Sequence, residues 1–162
     1  MRTLSSNKFL FVTVIVIYLI LLGFFREHVF VNVNYQSYKL YYHDSFDYSL
    51  PSDMKWLESL SYKQLYIFKF PLTLLFAFLY FLPTYMIVKK YYSEKKYLQI
   101  TLLAYGSLII FSLLVFGIGF LFGGYEKCYS LSRYLMGFVQ SPLLLMILIP
   151  VLMITKAQSD SA

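Results

Sequence analysis

A chain of 162 residues that is 59% apolar and 21% aromatic, with a mean hydropathy of +0.63, lies outside the range of soluble globular domains. Its formal charge of +6, from 14 Lys and Arg against 8 Asp and Glu, reports topology in a membrane chain, so no nucleic-acid partner is expected. Cys128 is the single cysteine, which excludes an intrachain disulfide and a thiolate metal cluster.

Apolar runs of roughly 18 or more residues read as membrane helices, because about 20 residues at about 1.5 Å each cross the roughly 30 Å hydrocarbon core. Four such runs occur, at about 9–25, 70–88, 98–125 and 134–155. The expected fold is therefore all-α: a polytopic membrane protein, residues 1–162 forming a single membrane domain in the lipid bilayer. The first run follows Arg2 and Lys8 like a signal peptide, but it ends Leu22, Gly23, Phe24, Phe25, Arg26 without a small-x-small cleavage pattern. It reads as a retained helix.

Residues 26–69 form the one sizeable polar segment, with five basic residues (Arg26, Lys39, Lys55, Lys63, Lys69) balanced by five acidic ones (Glu27, Asp44, Asp47, Asp53, Glu58). Val29 to Tyr35 alternate as an extended segment would. Pro51, Ser52 and Asp53 read as a helix start with Ser52 or Asp53 as N-cap, and Met54, Trp56, Leu57, Leu60 and Leu65 follow as a short amphipathic helix. Trp56 and the many tyrosines suit a segment at headgroup level.

The second run opens with Pro71, which fits a first helical turn, whereas Pro83 deprives the Leu79 carbonyl of its donor and predicts a kink. Thr73, Ala77, Tyr80 and Thr84 share one helix face of small and hydroxyl residues, read first as a packing surface. Lys89, Lys90, Lys95 and Lys96 then crowd one short loop. That density places the loop in the cytoplasm. Both termini follow it there, and 26–69 and 126–133 face outward. The whole-segment count is even, seven basic residues on each side, so the orientation rests on the short loop. The third run aligns Thr101, Tyr105, Leu108, Ser112, Val115, Gly119 and Gly123, ending in a Gly-x-x-x-Gly pair. Gly119 and Gly123 read first as an intrachain contact and second as a homo-oligomer interface.

The last run alone carries a charge and a carboxamide inside a membrane segment. Arg133, Gly137 and Gln140 fall on one helix stripe, with Ser141 beside it and Pro142 breaking the hydrogen-bond ladder. Arg133 can snorkel to the interface, but Gln140 lies roughly 10 Å deeper. It needs an internal partner, and the Phe138 carbonyl left open by Pro142 is the nearest. Catalytic chemistry finds little support. The histidines, His28 and His43, both lie in the polar segment, and no base stands beside Cys128 in the sequence. Their spacing makes no metal site, no acidic pair lies within a span, and no cofactor motif occurs. The chain is expected not to be an enzyme.

Ser132 through Leu143, with Leu148, Ile149 and Pro150, is similar to the C-terminal helix of the small exosortase-associated membrane proteins of Bacteroidetes. Arg26, Glu27 and Phe30 after the first run, and Leu50 with Pro51 at the end of the polar segment, extend the resemblance to the overall plan. F-type members tend to carry an Arg-Arg pair and an Ile-Gln-Pro run where this chain has Ser132, Arg133 and Gln140, Ser141, Pro142, which leans towards the X-type. The resemblance implies a non-catalytic accessory of a membrane-embedded sorting protease, an exosortase encoded nearby being the partner. Exosortases use Cys, Arg and His in that order, whereas His28 and His43 precede Cys128 and Arg133, so no catalytic role carries over. Arg133, Gly137, Gln140, Ser141 and Pro142 are then the candidate partner contacts. The competing reading is a small membrane enzyme or carrier that holds an anionic or lipid-linked substrate at Arg133 and Gln140.

Overall fold

The computed structural model describes residues 6–43, 49–92 and 94–160. Five α-helices occur among them, α1 (Ser6–Tyr42), α2 (Tyr62–Tyr91), α3 (Lys95–Phe122), α4 (Tyr125–Val139) and α5 (Leu143–Asp160), with a 3-10 helix over Ser52–Ser59 between α1 and α2. No strand occurs among the described residues. Three helices are long and apolar enough to cross a membrane, and α4 with α5 makes a fourth candidate, bent by 60° at its break. Their outer faces carry large apolar side chains such as Phe24, Leu103, Phe120 and Leu121, as expected where lipid is the solvent. The protein is an all-α, multi-pass membrane protein.

The chain divides within α2 into two compact units, residues 1–76 and 77–162. In the first, α1 runs on for 37 residues, about 55 Å at the helical rise and well beyond one hydrocarbon core. The extended segment expected at Val29–Tyr35 is thus helical. Its buried residues, Val29, Asn32, Val33, Gln36 and Ser37, recur at steps of three and four; the alternation of valines masked this longer period. Two of the buried polar side chains bond locally: Asn32 Nδ2 donates to the His28 carbonyl at 2.7 Å and Ser37 Oγ to that of Val33 at 2.8 Å. The start of α2 lies antiparallel to this extension, Phe76 meeting Phe30 at 5.6 Å and Tyr62 meeting Tyr41 at 5.3 Å between ring centroids.

The expected amphipathic helix is a 3-10 segment that buries Met54 and Leu57 and sets the Trp56 ring 5.6 Å from that of Phe68. Leu65 belongs to α2. Pro51 occupies the cap position and no side chain caps the segment. Neither Ser52 nor Asp53 does so, because Asp53 turns to His28 at 2.9 Å. That hydrogen bond holds the Asp53 carboxyl below the usual carboxylate range. Because α2 starts at Tyr62, Pro71 lies inside the helix and not in its first turn. Asp44 and Asp47 lie outside the described residues.

In the second unit the two hydroxyl stripes meet. Thr84 Oγ1 and Tyr105 Oη lie 2.9 Å apart, and both reach the Tyr80 carbonyl. Ala77, Tyr105, Val139, Leu144 and Leu148 form the core beside them. α3 ends at Phe122 instead of 125, because Gly123 takes a left-handed conformation (φ 76°) that closes the helix. The segment expected as an outer loop at 126–133 is part of α4. The fourth run is therefore not one helix over 134–155 but two, joined at Gln140–Pro142. α4 and α5 together follow α3 in the opposite direction along its length, from Gly119 beside Cys128 to Tyr97 packed with Leu152 and Lys96 bonded to Ser159.

Candidate functional site

The break in the fourth run is built by three residues in sequence. Gln140 N–H still donates to the Met136 carbonyl at 3.0 Å, closing α4. Pro142 has no N–H to offer Phe138. The Phe138 carbonyl, the acceptor expected for Gln140, accepts from Ser141 Oγ at 3.0 Å. The Pro142 carbonyl then receives the Met146 N–H, and α5 proceeds in its new direction.

This bend divides the expected stripe. Gln140 is only 3% exposed, next in sequence to Val139 of the core. Arg133 and Gly137 face the other way and line an open groove of about 530 Å³ together with Tyr129, Ser130, Tyr134, Phe138 and Leu143. The Arg133 guanidinium stands 5.8 Å from the centre of the Tyr129 ring, one helical turn earlier, a contact that holds the charge over an aromatic face. A side-chain carbon added at Gly137 would meet nothing within 4 Å. The close approach for which glycine makes room is thus left open by the chain itself. Ser141 is half-buried and Pro142 exposed at the turn.

The two glycines of the third run part in the same way. Gly119 packs on Cys128, whose Cβ would lie 2.3 Å from an added Cβ, and Gly123 is the helix-closing residue. Gly119 is thus an intrachain contact. Cys128, expected in a polar loop, sits in the first turn of α4 and fills this notch. His28 and His43 belong to the other unit. Among the described residues no three His, Cys, Asp or Glu side chains are grouped as metal ligands would be.

Sequence reading missed the bond between α3 and α4. Ser112 Oγ donates to the Ser132 carbonyl at 3.0 Å, with the two hydroxyls 2.8 Å apart. Ser112 lay on a recognised stripe, but Ser132 shares no stripe with it, and only the antiparallel register pairs them. No family model, curated protein or solved structure matches the chain.

Proposed function

We propose that the protein is a non-catalytic integral membrane accessory of an exosortase protein-sorting system, which docks a helix of its membrane partner into the groove at Arg133 and Gly137. The observation that carries this reading is the open face of Gly137, which lines the groove on α4 and has no neighbour within 4 Å of an added side-chain carbon. Small residues at membrane-helix surfaces serve close backbone approach, and here no part of the chain uses the space. The stretch that carries the exosortase-associated resemblance, Ser132 to Leu143, holds Arg133, Tyr134, Gly137, Phe138 and Leu143 of the groove lining, and the bend. Partner capture is the test. Gly137→Leu should abolish co-purification with the exosortase encoded beside the gene while protein abundance holds; unchanged co-purification defeats the reading.

The competing substrate-holding reading is favoured by one feature, a groove lined by the cationic Arg133 together with the hydroxyl-bearing Tyr129, Ser130 and Tyr134. It makes Arg133→Gln the more damaging change, whereas a docked helix depends more on Gly137.

The same proposal sets four crossings in the inner membrane, with both termini and Lys89–Lys96 cytoplasmic. Two observations support it: four lysines in one short connection resist translocation, and α5 ends beside that connection through Lys96 and Ser159. In a Cys128→Ser background, Glu58→Cys should react with an impermeant thiol reagent from outside and Lys95→Cys should not. The opposite pattern inverts the topology.

A further inference from the structure

Lysines from three elements gather at one end of the 77–162 unit: Lys89 and Lys90 from the last turn of α2, Lys95 and Lys96 from the first turn of α3, and Lys156 from α5. A small core of Val88, Tyr92, Tyr97 and Leu152 brings these elements together. Tyrosine rings lie under three of the ammonium groups. Lys96 Nζ is 4.9 Å from the Tyr97 centroid, Lys89 Nζ 5.6 Å from that of Tyr85, and Lys156 Nζ 5.9 Å from that of Tyr92. The charges are therefore placed by rigid rings and not left on free stems. Glu94, which holds Lys96 at 2.9 Å, is the one carboxylate described in the connection between α2 and α3.

We infer that this lysine–tyrosine cluster is a binding site for the phosphate headgroup of an anionic phospholipid in the adjoining leaflet. The helices that bear the lysines are of membrane length, so the phosphate nearest to them belongs to lipid, and basic pockets between membrane helices suit such headgroups. Lysine ammoniums act as point charges and accept a phosphate from many directions. A bound headgroup also bridges α5 to the α2–α3 connection. The site is independent of the groove at Gly137.

The probes are phosphatidylglycerol, phosphatidylcholine and inorganic phosphate, each added to detergent-purified, delipidated protein, with bound lipid counted by native mass spectrometry and unfolding followed by heating. Phosphatidylglycerol should be retained and should raise the unfolding temperature, and phosphatidylcholine should do neither. Each lysine removed should weaken retention about fivefold, so the triple variant Lys89→Gln, Lys90→Gln, Lys156→Gln should lose it. That variant leaves Lys96 and its structural bonds in place. A control triple, Lys39→Gln, Lys55→Gln, Lys63→Gln, changes net charge equally and should retain lipid as the wild type does. Equal retention of the two lipids, equal loss in the control triple, or equal protection by inorganic phosphate each overturns the assignment.

Discussion

Gly119 and Gly137 present the same sequence cue, a glycine on an apolar membrane helix, and the structure uses them in opposite ways. At Gly119 the missing side chain is replaced by Cys128 of α4, so tightly that an added carbon would lie 2.3 Å from the cysteine Cβ. At Gly137 the missing side chain is replaced by nothing. A glycine that its own chain fills serves the fold; one left empty on a grooved face leaves the fold no reason for it, and that difference points the search for function at α4.

The largest effect should come from filling the space that is already full. Gly119→Ala should destabilise the protein by about 1–3 kcal/mol, the usual cost of overpacking, because a Cβ cannot rotate away as the end of a long side chain can. Abundance and unfolding temperature in detergent should both fall, and Cys128→Gly in the same chain should restore much of the loss. Cys128→Ser alone keeps the notch filled and should change little. A normally folded Cys128→Ser protein that lost all function would favour an enzyme. If Gly119→Ala is instead neutral, the contrast between the two glycines collapses.

Filling the empty space should act in the other direction. Gly137→Ala removes the backbone freedom that glycine confers on an unfolded helix and meets no neighbour, so the isolated protein should gain about 0.5–1 kcal/mol. Loss of stability there would show that α4 is already covered and would remove the docking surface.

What the sequence disclosed follows the same line between local and long-range information. Hydropathy located the four apolar runs, and periodicity found Ala77, Tyr80, Thr84, Tyr105, Ser112 and Gly119, all of which are buried packing positions. Register was not legible: Ser132 faces Ser112 only because α4 returns along α3, and nothing local to Ser132 signals that. The alternating valines of 29–33 satisfied a strand pattern as well as a helical one. A break at Pro142 was visible as a missing donor. That it would turn the chain by 60°, sending Gln140 inward and leaving Gly137 outward, depended on Ser141 taking the freed carbonyl.

Polar contacts offer a smaller version of the comparison. Tyr105 and Thr84 bond to each other inside the 77–162 unit, both side chains almost fully enclosed. Tyr105→Phe should cost about 0.6 kcal/mol, the average for a hydrogen bond between membrane helices, and Thr84→Val in the same chain should add less than its separate effect, because one bond cannot be lost twice. A fully additive double variant would mean that the two hydroxyls do not depend on each other.

The smallest effect belongs to His28 and Asp53, whose side chains remain 42% and 62% exposed, so solvent screens the pair. Its value lies in its direction. The hydrogen bond from His28 lowers the Asp53 pKa on folding, so the stabilisation is present above the ordinary aspartate pKa and is lost as pH falls through the lowered value. The bond joins the 3-10 segment to α1 and touches neither glycine, so acid should loosen this segment alone. Hydrogen exchange across residues 52–59 should therefore quicken in wild-type protein as the pH is brought down through that range, relative to its intrinsic rate. Asp53→Asn should remove the pH dependence, while exchange in α3 and α4 stays the same in both proteins. A matching acid response in α3 would mean that the 3-10 segment is part of the main cooperative fold, and that the pair holds more than a surface contact.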